Sequence, residues 1–182
     1  WFFVFSGIIS RMKRTSRGIK KYLAEFVYGA TDGTITTFAI VSGVMGAGLS
    51  PVVVLILGVS NVLADGFSMA SSNYLSEKSD EALGNDNNKA ALKTASVTFI
   101  SFVSVGFIPL LSFVMALWVP FINAYQFEIS VISTTAAFLI IGAVRGFVTR
   151  KNAYKTSFET ILVGGIAAFI AFGVGHLLAG LV

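Results

Sequence analysis

Cysteine is absent from this chain and histidine occurs once. Without thiols there is no disulfide framework, no thiolate metal centre and no redox switch, and one imidazole cannot build a His-rich metal site. Charge is scarce as well. Charged residues make up 12% of the 182 positions, about half the share of a soluble domain, while hydrophobic residues make up 55%. A water-soluble fold of this size could not cover its surface with so few charges. That excludes a soluble globular enzyme and, with so much apolar residue, a disordered chain. No nucleophile–base pair and no nucleotide-binding glycine loop occurs, so the chain reads as a non-enzyme with no cofactor of its own.

What is abundant is apolar, small or aromatic. Eighteen glycines and seventeen phenylalanines suit membrane helices, where glycine is tolerated and lets helices approach closely. A bilayer core needs ~20 mostly apolar residues per helix. Five such runs are predicted, at about 25–48, 51–76, 92–118, 129–149 and 157–182. Pro51 opens the second in a first-turn position, where its missing N–H costs nothing, and Pro109 predicts a kink in the third. The expected fold is an all-α membrane protein with five transmembrane helices in one domain over 25–182, preceded by a basic segment over 1–24. The first ten residues, WFFVFSGIIS, are too short to span and fit the membrane interface.

All thirteen Lys and Arg fall into three clusters. Arg11, Lys13, Arg14, Arg17, Lys20 and Lys21 precede the first span. Lys78, Lys89 and Lys93 separate the second from the third. Arg145, Arg150, Lys151 and Lys155 lie around the turn into the fifth. With five spans all three clusters share one side, which the positive-inside rule makes cytoplasmic. The N-terminus is then expected inside and the C-terminus outside. The net charge of +4 is thereby explained by topology and membrane lipid, and no nucleic-acid partner is needed.

A charged side chain near the bilayer centre costs at least about 2.5–3.5 kcal/mol, so such residues point to function. Asp32 in the first span and Asp65 in the second qualify. At 100° per residue, Asp32 shares a face with Glu25, Tyr28, Gly29, Thr36, Gly43, Gly46 and Ala47. Asp65 shares one with Asn61, Ser68, Met69, Ser72 and Asn73. Asp32 and Met69 lie at similar depth, roughly 10 Å in, with Asp65 roughly 6 Å deeper. Carboxylate and amide oxygens with a thioether suit a divalent transition metal such as Fe²⁺; oxygens alone would suit Mg²⁺ or Ca²⁺. Taken singly, a membrane methionine is more often packing than ligand, and Asn61, Ser68 and Ser72 more often hydrogen-bond between helices. Two aspartates on two such faces favour a function. Glu25, Glu159 and Glu77 lie toward the basic end and are candidates for an entrance.

The stretches YGATDGTITTFAIVSGVMGA and LGVSNVLADGFSMASSNYLSEKSD resemble the vacuolar iron transporter (VIT) family, most closely over 25–80. The resemblance implies homodimers of five-helix subunits. These move Fe²⁺, and often Mn²⁺, out of the cytoplasm in exchange for protons, along a path between the two copies of the first helix. Asp32 matches the family's transport aspartate and Met69 its transport methionine. The glutamate that members often carry eight residues before that methionine falls at Asn61, and Asp65, one turn nearer, takes over the charge. Asp32 and Asp65 would hold protons in the empty site and yield them to an arriving cation. The Glu-rich cytosolic domain of iron-storing members is replaced here by residues 77–91, with Glu77, Asp80, Glu81 and Asp86. That resembles the short bacterial and nodulin-like type and implies the plasma membrane of a prokaryote rather than an organelle. Two rival expectations stand beside this one: a proton-coupled exporter of a small organic cation, and a non-transporting membrane scaffold or sensor.

Overall fold

A computed structural model describes residues 21–85 and 89–181. These form seven α-helices: α1 (Leu23–Gly46), α2 (Pro51–Ala82), α3 (Ala91–Gly106), α4 (Leu111–Ala116), α5 (Pro120–Ala124), α6 (Gln126–Thr149) and α7 (Ala153–Leu178). Short 3-10 turns at Ile108–Leu110 and Ala179–Leu181 follow α3 and α7, and no strand occurs among the described residues. The first twenty residues of the basic segment lie outside the described part.

Among the described residues four stretches are long and apolar enough to cross a membrane: Pro51–Ala82, Ala91–Ala116, Gln126–Thr149 and Ala153–Leu181. They correspond to the second to fifth predicted spans. The first predicted span is α1, whose 24 residues make a rod of about 36 Å. Glu25, Asp32 and its threonines make it less apolar than the other four. Much of that polarity is turned inward or back onto the helix. Thr34 and Thr37 are buried, and the hydroxyls of Thr31, Thr34 and Thr36 donate to the carbonyls of Val27, Ala30 and Asp32 one turn earlier.

Helix boundaries follow local chemistry. Pro109 breaks the third span as predicted: α3 stops at Gly106, a 3-10 turn carries the proline, and α4 resumes. α2 runs to Ala82, past the expected end near 76. Glu77, Asp80 and Glu81 are therefore helical rather than part of a loose linker. A Lys78–Glu81 pair at 2.7 Å spans this last turn, and Gly84 ends it with φ of 76°, a left-handed conformation that glycine adopts freely. The predicted loop at 119–128 contains α5, opened by Pro120.

α1 is the central helix and touches α2, α3, α6 and α7. Glycines make the close approaches. A Cβ at Gly33 would run into the backbone of Phe102, one at Gly29 into Thr98 and Ser101, and one at Gly46 into Phe172. Gly43 and Gly175 bring α1 and α7 together. Gly29, Gly43 and Gly46 of α1 thus pack against helices of the same chain. Phe38, Val41, Val62, Leu110, Phe113 and Phe138 belong to the buried core around it. At one end of the bundle the Tyr22 hydroxyl accepts from Ala90 N–H at 3.2 Å, and Ala24 and Tyr28 share a cavity with Arg145 and Thr149. The described basic residues that bracket the helices therefore gather at this end.

Candidate functional site

α2 carries two parallel stripes at four-residue spacing. One is buried: Val54, Gly58, Val62, Gly66 and Ala70. Beside it run Asn61, Asp65, Met69, Asn73 and Glu77, each partly buried. One rung is about 6 Å, so the polar stripe extends roughly 24 Å from the basic end inward. Its continuation toward Pro51 is apolar, with Leu57 and then Val53. Packing dictates the register: the small residues of the first stripe must face the neighbouring helices, which leaves the second stripe on the flank, at the edge of a groove.

α1 supplies the acids opposite. The Asp32 carboxylate on α1 is partly buried and lies close enough to Asp65 on α2 to feel its charge. Met69 is one turn from Asp65 on the same stripe. Asn61 lies one turn to the other side, with its Nδ2 buried and without a hydrogen-bond partner. A buried unpaired amide costs about 1–3 kcal/mol, so its persistence at this position is informative.

Nearer the basic end, Glu25, Tyr28, Asn73, Ser76, Glu77 and Thr94 line a polar cavity of about 240 Å³. Glu25 pairs through Oε1 with Lys89, from the segment leading into α3. Its Oε2 is buried without a partner, as is the Thr94 hydroxyl. The Asn73 side-chain amide donates to Thr98 Oγ1 at 2.7 Å. Two of the three entrance candidates, Glu25 and Glu77, therefore meet. Glu159 stands apart, 3.6 Å from Arg145 in an exposed pair between α7 and α6. Lys89 and Thr94 were not singled out as site residues from sequence. Lys89 is 64 positions from Glu25, and no local spacing signals such a pair.

Among the described residues no group of three or more His, Cys, Asp and Glu converges. A cation on this path would meet pairs of carboxylates supplemented by amide, hydroxyl and thioether atoms. Such incomplete ligand sets suit passage, where an ion must bind well enough to enter and weakly enough to leave.

Known proteins resemble this chain over most of its length. A sequence profile of the VIT family matches residues 23–85 and 80–176, two stretches that meet at the end of α2. A Plasmodium berghei protein named vacuolar iron transporter is 27% identical over 228 aligned positions, which take in 87% of this chain and 83% of that protein. Vacuolar iron transporter 1 of Eucalyptus grandis is 24% identical, with 82% of this chain and 83% of the relative covered. A shorter match of higher identity, 46% over 57 residues, links 31% of this chain to 21% of the vacuolar iron transporter of Plasmodium falciparum.

Proposed function

The chain belongs to the VIT family, and from that premise we propose that it is a metal ion transporter of the membrane, not an enzyme, that exports Fe²⁺ or Mn²⁺ from the cytoplasm in exchange for protons. The observation that carries this reading is that Asp32 on α1 feels the charge of Asp65 on α2, with Met69 one turn along and Asn61 on the other side. Metal and protons compete there for the same carboxylate oxygens: two neighbouring carboxylates repel unless a proton or a cation compensates them. A divalent cation supplies both charges at once and expels the proton, which is the requirement for antiport. The relatives support iron as the cargo, since they are named vacuolar iron transporters.

In this reading α1 crosses the bilayer with the other four, giving five spans. Its glycines meet α3 around Thr98–Phe102 and α7 around Ala171–Phe172, so a membrane that encloses those helices encloses it too. The basic end faces the cytoplasm, and the C-terminus lies outside. The membrane is the plasma membrane of a prokaryote, in keeping with the short 77–91 connection; in the relatives it is by name the vacuole. The functional unit is a homodimer. Asp32, Asp65 and Met69 are only partly buried, and Ser68 and Ser72 beside them are exposed. Polar groups at that depth are costly against lipid, and a second copy laid along the α1–α2 flank removes them from it.

The test is flux in liposomes of purified protein with a metal-quenched dye inside and the membrane potential clamped. Fe²⁺ or Mn²⁺ flux should accelerate with an opposing proton gradient. Equal rates with and without the gradient would leave a channel. Flux of organic cations but not metals would favour an organic-cation exporter, and no flux at all a scaffold. Topology is checked separately. Leu83→Cys and Asn123→Cys, in a chain without native cysteine, should react with an impermeant thiol reagent from opposite sides.

A further inference from the structure

The cavity at the basic end combines three features that the deeper aspartate pair does not explain. Its two acids, Glu25 and Glu77, come from different helices and face one space of about 240 Å³. Two of its oxygens are buried with nothing to bind: Glu25 Oε2, on a side chain only 11% exposed, and Thr94 Oγ1, on a residue 2% exposed. The remaining Glu25 oxygen is held by Lys89, whose backbone neighbour is tied down by the Ala90 N–H to Tyr22 hydroxyl bond. Carboxylate, amide and hydroxyl oxygens without sulfur or imidazole are ligands for a hard or partly hydrated divalent cation.

We propose that this cavity is an entry site for a hydrated divalent cation, in which Lys89 holds Glu25 while the site is empty and is displaced when the ion arrives. The inference rests on the transporter reading only for the ion's destination. Lys89 is a compact single charge on a flexible stem and is tethered, so its effective concentration at Glu25 is high. A monovalent ion gains nothing over the ammonium it would replace. A divalent ion brings twice the charge and engages Glu77, Thr94 and the freed Glu25 oxygens together. Lys89 thus selects for divalent charge and sets the concentration at which the site loads.

The experiment is Mn²⁺ binding to purified protein by electron paramagnetic resonance, in an Asp32→Asn background that weakens the deeper pair. Lys89→Gln should tighten Mn²⁺ binding roughly tenfold, the equivalent of about 1.4 kcal/mol, while Lys89→Arg stays within about twofold because it keeps the charge. Glu25→Gln should abolish this binding whether or not Lys89 is present. Asp80→Asn with Glu81→Gln, outside the cavity, should leave it unchanged. With Asp32 restored, Lys89→Gln should lower the KM for flux. Unchanged Mn²⁺ affinity in Lys89→Gln, or retained binding in Glu25→Gln, overturns the entry site even where wild-type flux is normal. A wild type that moves no metal, yet binds Mn²⁺ in this Glu25-dependent way, overturns the transporter reading and leaves the entry site standing.

Discussion

The α6–α7 hairpin and the α1–α2 pair treat buried polarity in opposite ways. Between α6 and α7, hydroxyls bond across to the neighbouring backbone: Thr156 Oγ1 donates to the Gly142 carbonyl at 2.7 Å and Ser157 Oγ to the Leu139 carbonyl at 2.9 Å. Gly142 and Gly146 bring the two backbones into contact there. The unpartnered buried atom in this hairpin is a hydroxyl, that of Thr134. Along α1 and α2 the unpartnered atoms include a carboxylate oxygen of Glu25 and the amide of Asn61, and the Asp32 carboxylate feels the charge of Asp65. The hairpin strands a neutral hydroxyl, whereas the α1–α2 pair strands a carboxylate oxygen and an amide. In the proposed ion path such groups stay open to a cation, at a cost in stability.

The sharpest break in this comparison comes from Asp32→Asn. It should abolish metal flux while leaving the purified protein folded and assembled, because asparagine keeps the size and one oxygen but carries no exchangeable proton. Flux near wild type, or loss of assembly instead of flux, would move Asp32 to the structural side. In the hairpin the reverse is expected. Gly142→Ala drives a methyl into the Ser157 backbone and should lose about 1–3 kcal/mol of stability, read as a lower Tm in detergent, with flux per folded molecule retained. Asn61→Leu sharpens the contrast, since it removes an unpaired amide at similar volume. Stability should rise by about 1 kcal/mol while flux falls. A drop in both would mean that Asn61 is a structural contact. The smallest effect belongs to Glu159→Gln, which breaks an exposed 3.6 Å pair with Arg145 and should change Tm by less than the equivalent of about 1 kcal/mol.

Most of the fold was legible because apolar runs and basic clusters obey bilayer constraints directly. The second to fifth spans and the break at Pro109 follow from the run lengths and the proline. What escaped was non-local or compositionally disguised. The last turns of α2 read as a linker because Glu77, Lys78, Asp80 and Glu81 are charged, yet the Lys78–Glu81 pair spans one helical turn. The packing of α1 glycines against α3 and α7 also depends on tertiary structure, because a small-residue face does not say which neighbour fills it. Lys89 and Glu25 meet only because α1 and α3 start at the same end of the bundle, which no window of sequence contains.

The central claim is that metal and protons compete for the Asp32–Asp65 pair. It is met most directly by titrating purified protein with Mn²⁺ in weakly buffered solution and counting the protons released. Release in the wild type, lost when Asp32→Asn and Asp65→Asn are combined, is the predicted result. Mn²⁺ binding with no proton release, or release that survives in the double variant, would contradict it.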